Sequence, residues 1–184
     1  MAGEPRYSLL QRLIHWTVAI LVICALIAGL TLGVVGLEGL QNSVGEGATN
    51  ALYKYHKTFG ILILLLMLLR LVVRLRAGRP EYDPPLPPAN RAVSRIVHGS
   101  LYVLLIVQPL LGWAATAAGG FPIEFFNWEL PKVLGKDEAL SATLYNFHFT
   151  VGLLLLVLVT IHASAALFHW LTMRDNVMKR MSLF

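Results

Sequence analysis

HFTVGLLLLVLVTIHASAALFHW, residues 148–170, decides the fold of this chain. The stretch contains no Asp, Glu, Lys or Arg. Wound as a helix it is roughly 34 Å long, enough to cross the ~30 Å hydrocarbon core of a bilayer. Histidines are costly in such a place and mark function by default. His148 and His162 are fourteen residues apart. Fourteen steps of about 100° end within roughly 40° of the start, so both rings leave one helix face about 21 Å apart, one toward each side of the membrane.

Three more apolar runs flank it, giving spans at 13–36, 59–76, 97–118 and 147–171. Of the 184 residues 57% are hydrophobic and only 14% charged, against about 25% charged in soluble domains. We therefore expect an all-α, integral membrane four-helix bundle forming one domain over residues 1–184. The first run exceeds the ~7–15 residues of a signal-peptide core and no clean cleavage site follows, so it is expected to stay as a span. Arg6 and Arg12 precede span one; Arg70, Arg74, Arg76, Arg79, Arg91 and Arg95 surround the middle connection, and Arg174, Lys179 and Arg180 close the tail. They outnumber Glu4, Glu81, Asp83 and Asp175. Basic residues collect on cytoplasmic loops, which makes both termini cytoplasmic and sends loops one and three outside. The charges follow topology and call for no nucleic acid.

The middle connection, GRPEYDPPLPPAN at 78–90, cannot continue a helix and favours an extended linker. Gly45 and Gly47 suggest a turn-rich first outer loop. The loop from Gly119 to Tyr145 carries Phe121, Phe125, Phe126 and Trp128, which suit either an interfacial segment or a cap on the bundle. Pro109 with Gly112 predicts a kink in span three. Trp16 and Trp170 read as interfacial belt residues, and Cys24 as a small buried hydrophobe.

Four histidines share a local pattern: His15, His56, His148 and His162 have Ala19, Gly60, Gly152 and Ala166 four positions on, on the same helix face. An imidazole beside a missing side chain leaves room for something flat and wide. Topology pairs them by depth, His56 with His148 near the outside and His15 with His162 near the cytoplasm. Two opposed imidazoles and a bare helix surface suit a haem iron. Without a C-x-x-C-H segment the haem is of non-covalent b type, and two such sites make an electron path across the membrane. A zinc site would need ligands converging on one point, whereas these separate into two layers. Arg70, fourteen residues beyond His56, faces the inner pair and suits either a haem propionate or snorkelling to the headgroups. A haem-free, histidine-dependent transporter is the alternative from another class.

RLIHW (12–16), HKTFGILILLLMLLRLVVRL (56–75) and the stretch quoted first, followed by RDNVMKRM (174–181), resemble the small bacterial cytochrome b561 family, which includes a superoxide oxidase. The resemblance covers nearly the whole chain. It implies a multi-pass protein of the bacterial inner membrane with four helices and two b-type haems on His15, His56, His148 and His162. It implies a quinone, in particular ubiquinone, as electron acceptor, with His98 and His169 as its cytoplasmic-side neighbours. Histidine there can deliver the protons that quinone reduction takes up. It further implies superoxide as outer donor, which Lys54 and Lys57 beside His56 would steer by their charge. The rival within the same class is a cytochrome b subunit serving a hydrogenase or dehydrogenase partner, with a protein electron donor.

Overall fold

The computed structural model describes residues 6–82 and 85–183; Glu4 and Asp83, counted in the charge balance above, lie outside them. Four helices run α1 Leu9–Val44, α2 Glu46–Ala77, α3 Pro88–Ala118 and α4 Glu138–Phe168, the last followed by a π-helical turn, His169–Met173. All four are long and apolar enough to cross a membrane, and they extend beyond the expected apolar spans. Polar ends explain the difference: Ser8 and Gln11 form a capping box at the start of α1, and Asp137 accepts from the Leu140 N–H to open α4. Pro88 suits the first turn of α3, where a missing N–H costs nothing.

The turn-rich first loop shrinks to one residue. Gly45, at φ 84°, joins α1 to α2 directly, while α1 breaks at Gly36, φ 73°. Both are left-handed positions that glycine adopts without strain. α3 is continuous through Pro109 and Gly112.

Each helix packs closely on the next in sequence, but α4 touches α1 only sparsely. Ile14, Val18 and Val22 of α1 and Ile63 and Met67 of α2 form the main core, with Tyr102 and Ile106 of α3 and Val159 of α4 against it. Much of the remaining apolar surface faces outward: Ile20, Ile27 and Leu75 are 61%, 62% and 77% exposed. Surface of that kind is soluble in lipid rather than in water. Cys24 is part of it; the expectation of a buried cysteine is corrected, because it leaves α1 on the lipid side.

The chain ends and the α2–α3 linker meet at one end of the bundle. The Tyr7 N–H donates to the Arg180 carbonyl (3.2 Å), Gln11 Nε2 donates to the Gly78 carbonyl (3.0 Å), and Arg180 donates to the Pro80 carbonyl. Trp16 is more than a belt residue, since its indole N–H holds the Met181 carbonyl at 2.9 Å. At the opposite end the long third loop folds into a hairpin, β1 Ile123–Phe125 with β2 Trp128–Leu130, in the register Ile123–Leu130 and Phe125–Trp128. Ile123 is buried against Ile61 and Ala117, and the Phe126 N–H donates to Thr58 Oγ1 (3.1 Å). The hairpin caps the bundle, as one of the two expectations had it, although Trp128 stands 72% exposed.

Candidate functional site

The four patterned histidines come together in two pairs. His56 of α2 faces His148 of α4 with ring centroids 6.0 Å apart, and His15 of α1 faces His162 of α4 at 6.2 Å. The rings are nearly perpendicular, 89° and 87°. Two metal–nitrogen bonds of roughly 2 Å, with about half a ring on each side, separate imidazole centres by roughly 6 Å. Both pairs therefore have the spacing of axial ligands on one ion. Among the described residues no three His, Cys, Asp or Glu side chains converge as a metal cluster.

The His56–His148 pair is shaped by glycines on neighbouring helices. A Cβ on Gly29 of α1 would lie 3.0 Å from His56 Cε1, and one on Gly112 of α3 would lie 2.9 Å from His148 Cε1. The small residues at i+4 divide in role. A Cβ on Gly60 would meet nothing within 4 Å, which leaves an open surface beside His56. Gly152 instead admits the Gln108 amide, at 3.3 Å. That amide donates to the His148 carbonyl (2.8 Å), while His148 Nδ1–H donates to the Gln108 carbonyl (3.0 Å). The second bond fixes the tautomer and leaves Nε2 bare for a metal. His56 Nδ1 is buried and makes no well-aligned hydrogen bond, although the Ala25 backbone lies beside it.

Space for a flat apolar group lies alongside. His56, His148, Gly29, Phe149, Leu26 and Leu30 border a cleft, and Leu26 and Leu30 also line an apolar groove of about 310 Å³ between α1 and α4. The sparse α1–α4 contact is what opens this groove. The residues present thus fit b-type haem: His56 and His148 would hold one beside this cleft, and His15 and His162 have the same ring spacing.

The His15–His162 pair has polar company. Arg70 Nη1 lies 2.7 Å from His15 Nδ1 and its Nε donates to the Tyr102 hydroxyl at 3.0 Å. Arg70 thus points inward at the pair rather than out to the headgroups. His98 stacks edge-on against His162 at 5.0 Å, its Nδ1–H on the Ser94 carbonyl at 2.6 Å. His169 lies apart from these rings and pairs with Asp175, Nδ1 to Oδ2 2.5 Å, where the π-helical turn ends at a left-handed Arg174. At the hairpin end Lys57 is ion-paired to Glu124 (2.5 Å) and also donates to the Pro122 carbonyl, while Lys54 donates to Asn127 Oδ1 (3.0 Å). The pairing of Lys57 removes most of its long-range field, which leaves Lys54 the freer charge. Gln108, Gly29, Tyr102, Glu124 and Asp175 were not singled out from sequence. A glutamine inside an otherwise apolar span was the one available signal.

The model of the prokaryotic cytochrome b561 family matches residues 6–182. The chain is 28% identical to cytochrome b561 homolog 1 of Escherichia coli (strain K12), with 96% of both chains covered. It is 29% identical to a probable superoxide oxidase, CybB, of Yersinia pestis, over 97% of this chain and 96% of that one. It is also 29% identical to a cytochrome b562 of Cereibacter sphaeroides, over 98% of each. With four membrane-capable helices, two facing histidine pairs and a match along almost its whole length, the chain belongs to the prokaryotic cytochrome b561 family, membrane b-type cytochromes that transfer electrons.

Proposed function

We propose that this protein is a two-haem cytochrome of the bacterial inner membrane, with both termini cytoplasmic, that oxidises superoxide outside and reduces ubiquinone at the inner end. The observation that carries this is the pair of histidine couples at ligand spacing, one toward each end of the bundle. Bound haem supplies a one-electron carrier at each couple. Each superoxide gives up one electron and leaves as dioxygen; two such electrons and two protons convert one quinone to quinol. His56 and His148 hold the outer site, with Gln108 orienting His148. Lys54 and Lys57 flank it on the approach from outside, Lys54 with its charge unpaired by an acid. Arg70, whose guanidinium lies on His15, is the proposed partner of an inner propionate. His98 and His169, each with Nδ1 committed to an oxygen acceptor, are the proposed proton-delivering neighbours of the quinone. The oxidase named among the similar proteins supports superoxide as donor.

One observation favours a second donor. The outer loops and helix ends hold six acidic and four basic side chains, so a basic soluble protein could dock there instead. The test is a visible spectrum of the purified protein before and after a pulse of superoxide, with quinone withheld. Haem bands that superoxide reduces support the proposal. Bands that stay oxidised turn it toward a protein donor, as in a hydrogenase or dehydrogenase subunit, and a colourless protein overturns the redox function altogether.

A further inference from the structure

The two histidine couples sit in opposite electrostatic surroundings. At the end that gathers both termini and the linker the sequence places eleven basic and four acidic side chains; at the hairpin end it places four basic and six acidic. The contrast persists at contact range. His15 Nδ1 faces the Arg70 guanidinium at 2.7 Å. Arg74 lies 5.4 Å from the ring of Tyr102, the same tyrosine that Arg70 holds. Arg180 is 5% exposed, stacked on Tyr82 at 3.8 Å and bonded to the Pro80 carbonyl. Asp175, an acid of this region, is taken up by His169. Near the outer couple Lys57 is neutralised by Glu124, and at the same end Lys136 pairs with Glu138 at 3.0 Å, while Lys54, held on the neutral Asn127, keeps its charge. His148 there donates to a neutral carbonyl, a bond that raises ligand basicity and favours the oxidised metal.

A one-electron carrier becomes more negative by one charge on reduction. Fixed cations within a few ångströms, sheltered from water, stabilise the reduced form, and burial and charge are among the levers that set such potentials. We infer that the arginines around the inner couple hold its haem at the higher reduction potential, so that electrons settle at the terminus-gathering end whatever donor supplies them. Arg70 touches a ligand, His15, while Arg74 and Arg180 act from farther off, on His98 beside His162; all three are positioning charges rather than catalytic residues. This rests on the two-haem proposal above. A propionate on Arg70 would offset part of its charge and leave those of Arg74 and Arg180.

The test is a potentiometric titration of the purified full-length protein, followed by its haem absorption bands. His56→Ala, which keeps the inner couple, and His15→Ala, which keeps the outer, assign the two midpoints. The inner midpoint should be the higher. Arg70→Gln keeps hydrogen-bonding capacity without charge and should lower the inner midpoint by roughly a tenfold change in the reduced-to-oxidised ratio, leaving the outer unmoved. Arg70→Lys should restore most of the shift, which a merely structural role for the side chain would not do. If Arg70→Gln loses the inner haem, Arg74→Gln, whose side chain does not contact His15, should shift the midpoint in the same direction. Two haems with the outer midpoint equal or higher, or charge removal without a shift, would overturn the inference alone. A protein that takes up fewer than two haems would overturn it together with the functional proposal.

Discussion

Gly112→Ala adds one methyl group to α3 and tests the outer site directly. The new Cβ would lie 2.9 Å from His148 Cε1, 3.2 Å from Nδ1 and 3.6 Å from Nε2. Relaxed contacts between carbon atoms are about 3.5–4.0 Å, so ring and helix must separate by roughly 0.5–1 Å. The ring is not free to swing, because Nδ1 is held on the Gln108 carbonyl at 3.0 Å and the Gln108 amide holds the His148 carbonyl at 2.8 Å. Alanine for glycine inside a helix stabilises by about 0.5–1 kcal/mol. Overpacking costs about 1–3 kcal/mol. The balance is a net loss of roughly 0–2.5 kcal/mol, falling on a proposed haem ligand. Haem content should drop from two toward one per chain, with outer-site affinity reduced on the order of tenfold, as for other disturbed ligand supports. Gly99→Ala in the same helix is the control, since its Cβ meets nothing within 4 Å; it should keep both haems and melt no lower than the parent. Pyridine haemochrome per chain and a thermal melt read both effects. If Gly112→Ala binds two haems and melts like Gly99→Ala, the idea that Gly112 seats the His148 ring is wrong.

Three further outcomes are expected. His148→Ala should remove the outer haem and spare the inner; retention of both bands on a reduced-minus-oxidised spectrum would break the pairing with His56. Lys54→Gln should slow reduction by superoxide and flatten its ionic-strength dependence more than Lys57→Gln does, because Glu124 already neutralises Lys57; stopped-flow rates across a salt series decide the order. Asp175→Asn should lower quinone turnover severalfold at unchanged haem content by freeing His169, and a normal turnover would remove that dyad from the quinone site.

The sequence made the bundle and the depth of its histidines legible because both depend on one-dimensional quantities. Apolar run length sets the number of spans, and the fourteen-residue interval sets which rings share a face. What it hid depends on contacts between helices. Gly29 and Gly112 matter only because α1 and α3 bring them against imidazoles of α2 and α4. Gly152 fitted the spacing rule yet serves Gln108, since spacing says which face a gap lies on and not what enters it. The hairpin was invisible for a different reason. Two strands of three residues give no readable alternation, and their stability comes from Ile123 beneath them and Thr58 beside them. Cys24 misled because, in a membrane, the apolar outside resembles an interior.

One rod, α4, supplies a ring to each couple, His148 and His162, while the opposite rings come from α2 and α1, which a single glycine ties into one hairpin. The gap between the two couples is thus measured along an unbroken helix, a ruler that neither stretches nor slips when neighbouring helices shift in a fluid bilayer. A sliding motion of the α1–α2 hairpin against α4 would open both couples together, never one at the expense of the other. Electron tunnelling falls off steeply with distance, so with a haem at each couple, as proposed, a spacing kept in this way would make the transfer rate insensitive to lipid thickness and thermal breathing. A single residue inserted between the two α4 histidines would turn one of them by about 100°, which leaves this interval little freedom to change length.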